Sequence, residues 1–296
     1  MPKPAVGRFV DEKARDTYIT AYRAIEREFW PGETDETVVE TSFGPTFLRR
    51  SGGGTGRPLV LLHPLAANGM SWHPLAADLG ENRTILAVDT IGTAGRSVQT
   101  APVRGRADFA RWFDELITGL RLETPHVLGY SNGAWHAASV ALHSRRDLAS
   151  LTLIEPSGVL TRVPLTTLAE FFAVGARPSP KAVARLERLT SPGYAVDPRE
   201  KHLATLAMRD FRARLPWPKT LTDQDLQRLA VPTHVILAGR SALLRPERAA
   251  RRASAMIPDA HVTVFDRAGH ALPFELREEV VPSVLGFLSR HDGDAR

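Results

Sequence analysis

Short apolar runs recur along the chain at residues 58–63, 84–88, 126–129, 151–154, 235–238 and 262–265. Each is apolar almost throughout rather than alternating, which is the pattern of a strand buried on both faces. Helix-length segments separate the runs everywhere except between residues 154 and 231. Strands alternating with helices require a parallel sheet with helices on both sides, because a parallel connection must cross over one face. The spacing therefore predicts an α/β fold, and the one long interval predicts a helical insertion near residues 157–225 over one edge of the sheet. The body is then 1–156 and 226–296. At 296 residues the chain suits one domain with an insertion.

Upstream, Tyr18, Ile19, Tyr22, Ile25 and Phe29 fall at helical spacing before Pro31-Gly32, predicting an N-terminal helix at about 10–30. Two β-prone runs then flank Gly44-Pro45, and SGGGTG turns the chain into the first apolar run. That is a hairpin feeding a buried strand. Because GGGTG precedes a strand and not a helix, it is no phosphate-cradling loop.

The run at 126–129 ends in Gly129-Tyr130-Ser131-Asn132-Gly133, and the helical stretch AWHAASVALHS follows. The pattern G-x-S-x-G alone is weak. At a strand-to-helix turn it gains force: the sharp bend strains the serine at a helix N-terminus, and the glycines let backbones approach. The competing reading is a glycine-rich turn with an incidental serine. A serine hydroxyl is a poor nucleophile until a base takes its proton. His270, in Asp266-Arg-Ala-Gly-His270 directly after the last run, is the one histidine of ten in such a turn. His136, His143, His202 and His291 fall in predicted helices or the tail and read as packed or solvated; His63 and His73 read as bordering the site. A base of this kind predicts activity that falls in acid. A tetrahedral intermediate also needs backbone N–H donors. Asn132, after the serine, is one candidate; in His63-Pro64-Leu65-Ala66 proline has no N–H, so Leu65 is the other.

These stretches together resemble the α/β-hydrolase superfamily. His63-Pro64 is similar to its His-Gly oxyanion loop, Asp89 to Ser97 to its D-x-x-G-x-G-x-S loop with one residue added, Gly129 to Gly133 to its nucleophile elbow, and Gly269-His270 to its histidine turn. The resemblance implies a mostly parallel eight-stranded sheet flanked by helices, with the insertion as a helical cap. It also implies an acid third after the glycine that ends the next-to-last strand, where Gly239-Arg240-Ser241 is followed by Ala242. Some members take the acid from the end of the preceding strand, and Glu155 stands there. The alternative is that Glu155 caps the start of the insertion and leaves a Ser-His dyad. Asp266 reads as a structural partner, and Asp89 as a residue that fixes its loop.

The resemblance implies a serine hydrolase that cleaves a carboxylic ester or related acyl bond through an acyl-enzyme. Ser131 argues against members that attack with a carboxylate. An acyltransferase or cyclase, or a non-catalytic binding protein on the same scaffold, stays open because of Ala242. The insertion carries Leu165, Leu168, Phe171, Phe172, Leu186, Leu189, Leu203, Leu206, Met208, Phe211 and Trp217. Most are expected to pack it onto the body and a minority to line a pocket for a small, mostly hydrophobic acyl substrate. The excess of 38 basic over 33 acidic residues is scattered in pairs such as Arg145-Arg146, without an aromatic-basic platform, so no nucleic-acid partner is expected. No apolar run approaches the ~20 residues of a membrane span, and no membrane partner is expected. With no H-E-x-x-H and no cysteine, neither metal nor cofactor is expected. The first residues lack the apolar core of a secretory signal, so the expected location is cytoplasmic. The sequence carries no signal for oligomeric state.

Overall fold

The structure, a computed structural model, describes residues 6–293. Residues 1–5 of the stretch read for a secretory signal, and 294–296 of the tail, lie outside the described residues. In chain order the elements are β1 (Arg8–Phe9), α1 (Glu12–Phe29), β2 (Asp35–Val39), β3 (Thr46–Gly52) and β4 (Gly56–Leu62). A 3₁₀ turn (Gly69–Trp72) leads into α2 (His73–Leu79), then β5 (Arg83–Val88), α3 (Arg106–Gly119), β6 (His126–Tyr130), α4 (Asn132–His143) and β7 (Ser150–Ile154). The long interval holds α5 (Leu165–Ala176), α6 (Pro180–Thr190), α7 (Pro198–Asp210), β8 (Phe211–Arg212) and, across residue 225, α8 (Asp223–Gln227). The chain closes with β9 (Thr233–Ala238), α9 (Pro246–Met256), β10 (Ala260–Phe265), α10 (Leu272–Glu275) and α11 (Arg277–Arg290).

Eight strands form one sheet in the order β10-β9-β7-β6-β4-β5-β3-β2. Strand β2 pairs antiparallel with β3, and β3 antiparallel with β5; the other neighbours run parallel. The apolar runs are continuous because successive side chains enter two different cores. Along β4, Val60 and Leu62 join Trp112 and Phe113 of α3 and Ala137 of α4 on one face. Leu59 and Leu61 join Tyr22 of α1, Leu75 of α2 and Val284 of α11 on the other.

Two fastenings are not evident in the sequence. At the strand starts, Asp292 beyond α11 accepts from the Arg57 N–H (2.9 Å) and, in a bidentate pair, from Arg83 (2.9 and 3.0 Å), and lies 3.0 Å from His126 Nε2. It thereby joins β4, β5 and β6. Burial opposes its charge, but hydrogen bonds from Arg83 and His126 outweigh this and hold the carboxyl down at about 2. At the opposite end of the chain, β1 pairs antiparallel with β8, Phe9 against Phe211. A Cβ on Gly7 would stand 2.9 Å from the Gly92 carbonyl and 3.0 Å from the Phe211 ring, so glycine suits the close approach beside that pairing. Among the described residues no helix is long and apolar enough to cross a membrane.

Candidate active site

The elbow is built by close approach of backbones. Ser131 follows β6 with φ 56° and ψ −117°, a region side chains with a Cβ rarely enter, and α4 begins at the next residue. A Cβ on Gly133 would stand 2.0 Å from the Leu62 carbonyl, so glycine is what lets α4 start against the end of β4. Ser131 is thereby lifted above the strand ends and remains 7% exposed.

Three side chains meet there. Ser131 Oγ lies 2.9 Å from His270 Nε2, and His270 Nδ1 lies 3.1 Å from Glu155 Oε2. A carboxylate only accepts, so Nδ1 carries the proton and Nε2 is left to accept from the serine hydroxyl. Glu155, fully buried with φ 47°, caps no helix; it follows β7, whose neighbour is β9. The Ala238 N–H donates to its Oε1 (2.7 Å) and the Ser241 hydroxyl to its Oε2 (2.5 Å). The loop that lacks a carboxylate at Ala242 thus supplies donors to the carboxylate of the neighbouring strand. Asp266 is exposed, and its side chain makes no ion pair or hydrogen bond among the described residues, so the structural partnership expected of it is not found.

The histidine turn is held from three sides. Tyr130 Oη donates to the His270 carbonyl (2.7 Å), the Gly269 N–H donates to Glu275 (2.9 Å), and the His270 N–H donates to the Thr190 carbonyl at the end of α6 (2.8 Å). Ser191 accepts from the Ala271 N–H (3.0 Å). None of Ser241, Thr190, Ser191 or Glu275 is singled out by the sequence, since a polar group in a loop or at a helix end carries no periodic signal.

The loop after β4 is fixed by buried polar groups. His63 accepts from the Thr90 N–H at Nε2 (3.1 Å) and donates from Nδ1 to the Pro64 carbonyl (2.9 Å), across a trans His63–Pro64 bond. Burial pushes its pKa down to about 4, so it is neutral. Asp89 accepts from the N–H groups of Gly69 and Arg96, both at 2.7 Å, the loop-fixing part expected of it. Leu65, in this loop, is half exposed and lines the cavity; Asn132 opens α4, its side chain toward His136. His136 stacks on Phe109 inside the core. His73 stacks on Phe29 and meets Glu200 of α7 at 3.1 Å, outside the cavity wall.

Ser131 and His270 open onto a cavity of about 730 Å³ between the sheet ends and α5–α7. Here the expectation for the insertion fails. Of its eleven named apolar side chains, Phe171, Phe172, Leu186, Leu203, Met208, Phe211 and Trp217 line the cavity, and Leu165 is 81% exposed. The apolar surface of these helices encloses a space and does not simply seat them on the body. Among the described residues the wall includes Glu187 and Glu200 but no arginine or lysine.

A family model described as the alpha/beta hydrolase family matches residues 59–283. The chain belongs to that family. It is similar to carboxylesterase YbfK of Bacillus subtilis, 28% identical over 277 residues that cover 90% of this chain and 93% of the relative. It is also similar to the uncharacterized carboxylesterase nap of the same organism, 26% identical, covering 90% and 91%. The crystal structure of carboxylesterase CesB (YbfK) superposes with a TM-score of 0.84 at 26% identity, over 93% of this chain and 98% of that one.

Proposed function

We propose that this protein hydrolyses carboxylic esters through an acyl-enzyme on Ser131. The observation that carries the reading is the unbroken path from Ser131 Oγ to His270 to Glu155, at 2.9 and 3.1 Å, at the floor of an apolar cavity. The similar relatives, named as carboxylesterases, support the choice of ester. His270 takes the serine proton as the hydroxyl attacks the ester carbonyl and returns it to the leaving alcohol. The tetrahedral oxyanion is met by the N–H groups of Leu65 and Asn132. Water then repeats the sequence, releasing the acid and restoring Ser131. Glu155 holds the imidazole tautomer and stabilises the imidazolium formed in each half. The helices α5–α7 act as a cap, and the apolar wall without arginine or lysine suits a neutral, mostly hydrophobic acyl substrate. Acyl transfer and cyclisation are the second reading, motivated by the missing carboxylate at Ala242; the contact of Glu155 with His270 supports hydrolysis over them. A cytoplasmic location remains part of the proposal.

The test is hydrolysis of p-nitrophenyl acetate and butyrate by wild type, Ser131→Ala, Glu155→Gln and Glu155→Ala, with folding verified for each. Ser131→Ala is expected to lose turnover, and the Glu155 variants to fall by about 10³- to 10⁴-fold, as for loss of a triad acid. Wild-type rates in Ser131→Ala would end the proposal; wild-type rates in both Glu155 variants would reduce it to a dyad.

A further inference from the structure

Both loops that support His270 and Glu155 are hydrogen-bonded to the cap. On the histidine side, the His270 N–H donates to the Thr190 carbonyl (2.8 Å) and the Ala271 N–H to Ser191 Oγ (3.0 Å), both at the C-terminal end of α6. The fit is close: a Cβ on Gly269 would stand 3.0 Å from that carbonyl. On the acid side, Thr167 Oγ, in the first turn of α5, donates to the Ala242 carbonyl (2.7 Å), one residue beyond the serine that holds Glu155. Thr167 and Ser191 are buried.

The cap has another anchor. Helix α7 is fastened to the N-terminal region by the β1–β8 pairing, the Arg199–Glu28 ion pair and the contact of Glu200 with His73. By contrast, α5 and α6 roof the cavity with Phe171, Phe172 and Leu186 and leave Leu165 and Leu189 facing outward. Their hydrogen bonds to the body therefore fall on the two loops that set the His270–Glu155 distance.

We propose that α5 and α6 position the triad, with Thr167 and Ser191 as positioning residues, so that Ser131 is activated only while the cap is seated. The proposal rests on the acyl-enzyme reading above and adds a control to it. When the cap lifts to admit ester or release product, both loops lose a hydrogen bond and His270 loses its fixed approach to Ser131 Oγ. Proton transfer is steeply sensitive to such displacement. Chemistry is then confined to the closed cavity, and an ester too large for it binds but turns over slowly.

The experiment is steady-state hydrolysis of p-nitrophenyl butyrate by Ser191→Ala, Thr167→Val, Ser191→Thr and Ser131→Ala, with thermal unfolding of each and proton NMR of the His270 Nδ1–H. Ser191→Ala and Thr167→Val are each expected to lower kcat by about 10- to 100-fold with KM within about twofold of wild type. Ser191→Thr, which keeps the hydroxyl, restores kcat, and the Nδ1–H resonance broadens in the impaired variants at unchanged Tm. Wild-type kcat in both impaired variants overturns the proposal, and so does a loss confined to KM, the mark of an ordinary cavity wall. Ser131→Ala separates the two levels. Full turnover there brings down nucleophile and cap control together, whereas an inactive Ser131→Ala beside unaffected cap variants brings down cap control alone.

Discussion

Ser131 and Glu155 follow neighbouring strands, and both take positive φ, 56° and 47°. Such conformations cost on the order of 1–3 kcal/mol each and persist only where the surroundings fix them. The fixing bonds are visible: the Ser131 N–H donates to the Ile154 carbonyl (2.9 Å) and the Glu155 N–H to that of Ile236 (2.8 Å). The two strained residues thus project above β6 and β7 toward one imidazole. Ser241 carries a prediction at this scale. Its replacement by alanine leaves Glu155 Oε2 with the His270 proton alone, and a hydrogen bond to a charged group contributes about 1.5–3 kcal/mol. We expect kcat/KM to fall by about 10- to 100-fold, measured on p-nitrophenyl butyrate; an unchanged value would mean that the Ala238 N–H suffices. The empty position at Ala242 and the carboxylate at Glu155 were both legible in the sequence. The hydroxyl joining them was not, because the contact depends on β7 lying beside β9, and spacing along a chain carries no strand order.

Among the elements, β4, β5, β6, β7 and β9 were legible because burial on both faces leaves mostly apolar side chains, and β10, half-exposed at the sheet edge, was legible from its short run at 262–265. The bridge between β1 and β8 was not, since two residues show no period. Helices α5–α7 were legible as helices but misread in their facing: helical spacing marks an apolar side, and a cavity satisfies that side as well as a core does. The C-terminal fastening yields the prediction that belongs here. Removing the Asp292 carboxylate leaves the buried Arg83 guanidinium without its partner, and breaking a buried pair from one side costs about 3–5 kcal/mol. Asp292→Ala should therefore lower the unfolding free energy by about that amount in urea, with kcat per folded molecule retained. A loss below about 1 kcal/mol would class the pair with exposed ones.

At the scale of the whole molecule, four fully or nearly fully buried histidines shape the response to acid. Burial lowers His63 and His126 to about 4, and His136 and His234 to about 3, from an ordinary value of 6.5. Above 6.5 neither the folded nor the unfolded chain protonates them. Below it the unfolded chain takes up protons that the folded chain refuses, so stability declines as pH falls from 6.5 toward 4. Urea midpoints at pH 7.5 and pH 5 would read this directly, and equal midpoints would contradict it. The α/β architecture was legible because it follows from the alternation of runs. The part played by the N-terminal segment was not, because its partners are distant. That distance has a further consequence. Phe9 pairs with Phe211, 202 positions later (211 − 9), and α1 packs against α7. During synthesis α1 leaves the ribosome before α7 does: Tyr18 and Tyr22 can dock on Arg49, Asn68, Asp89 and Ala94, which follow soon after, but the side of the helix that meets α7 stays uncovered. Helix α1 therefore seats in two stages, first on the sheet and loops made soon after it and finally on α7, and the second contact waits until residues 198–210 have been translated.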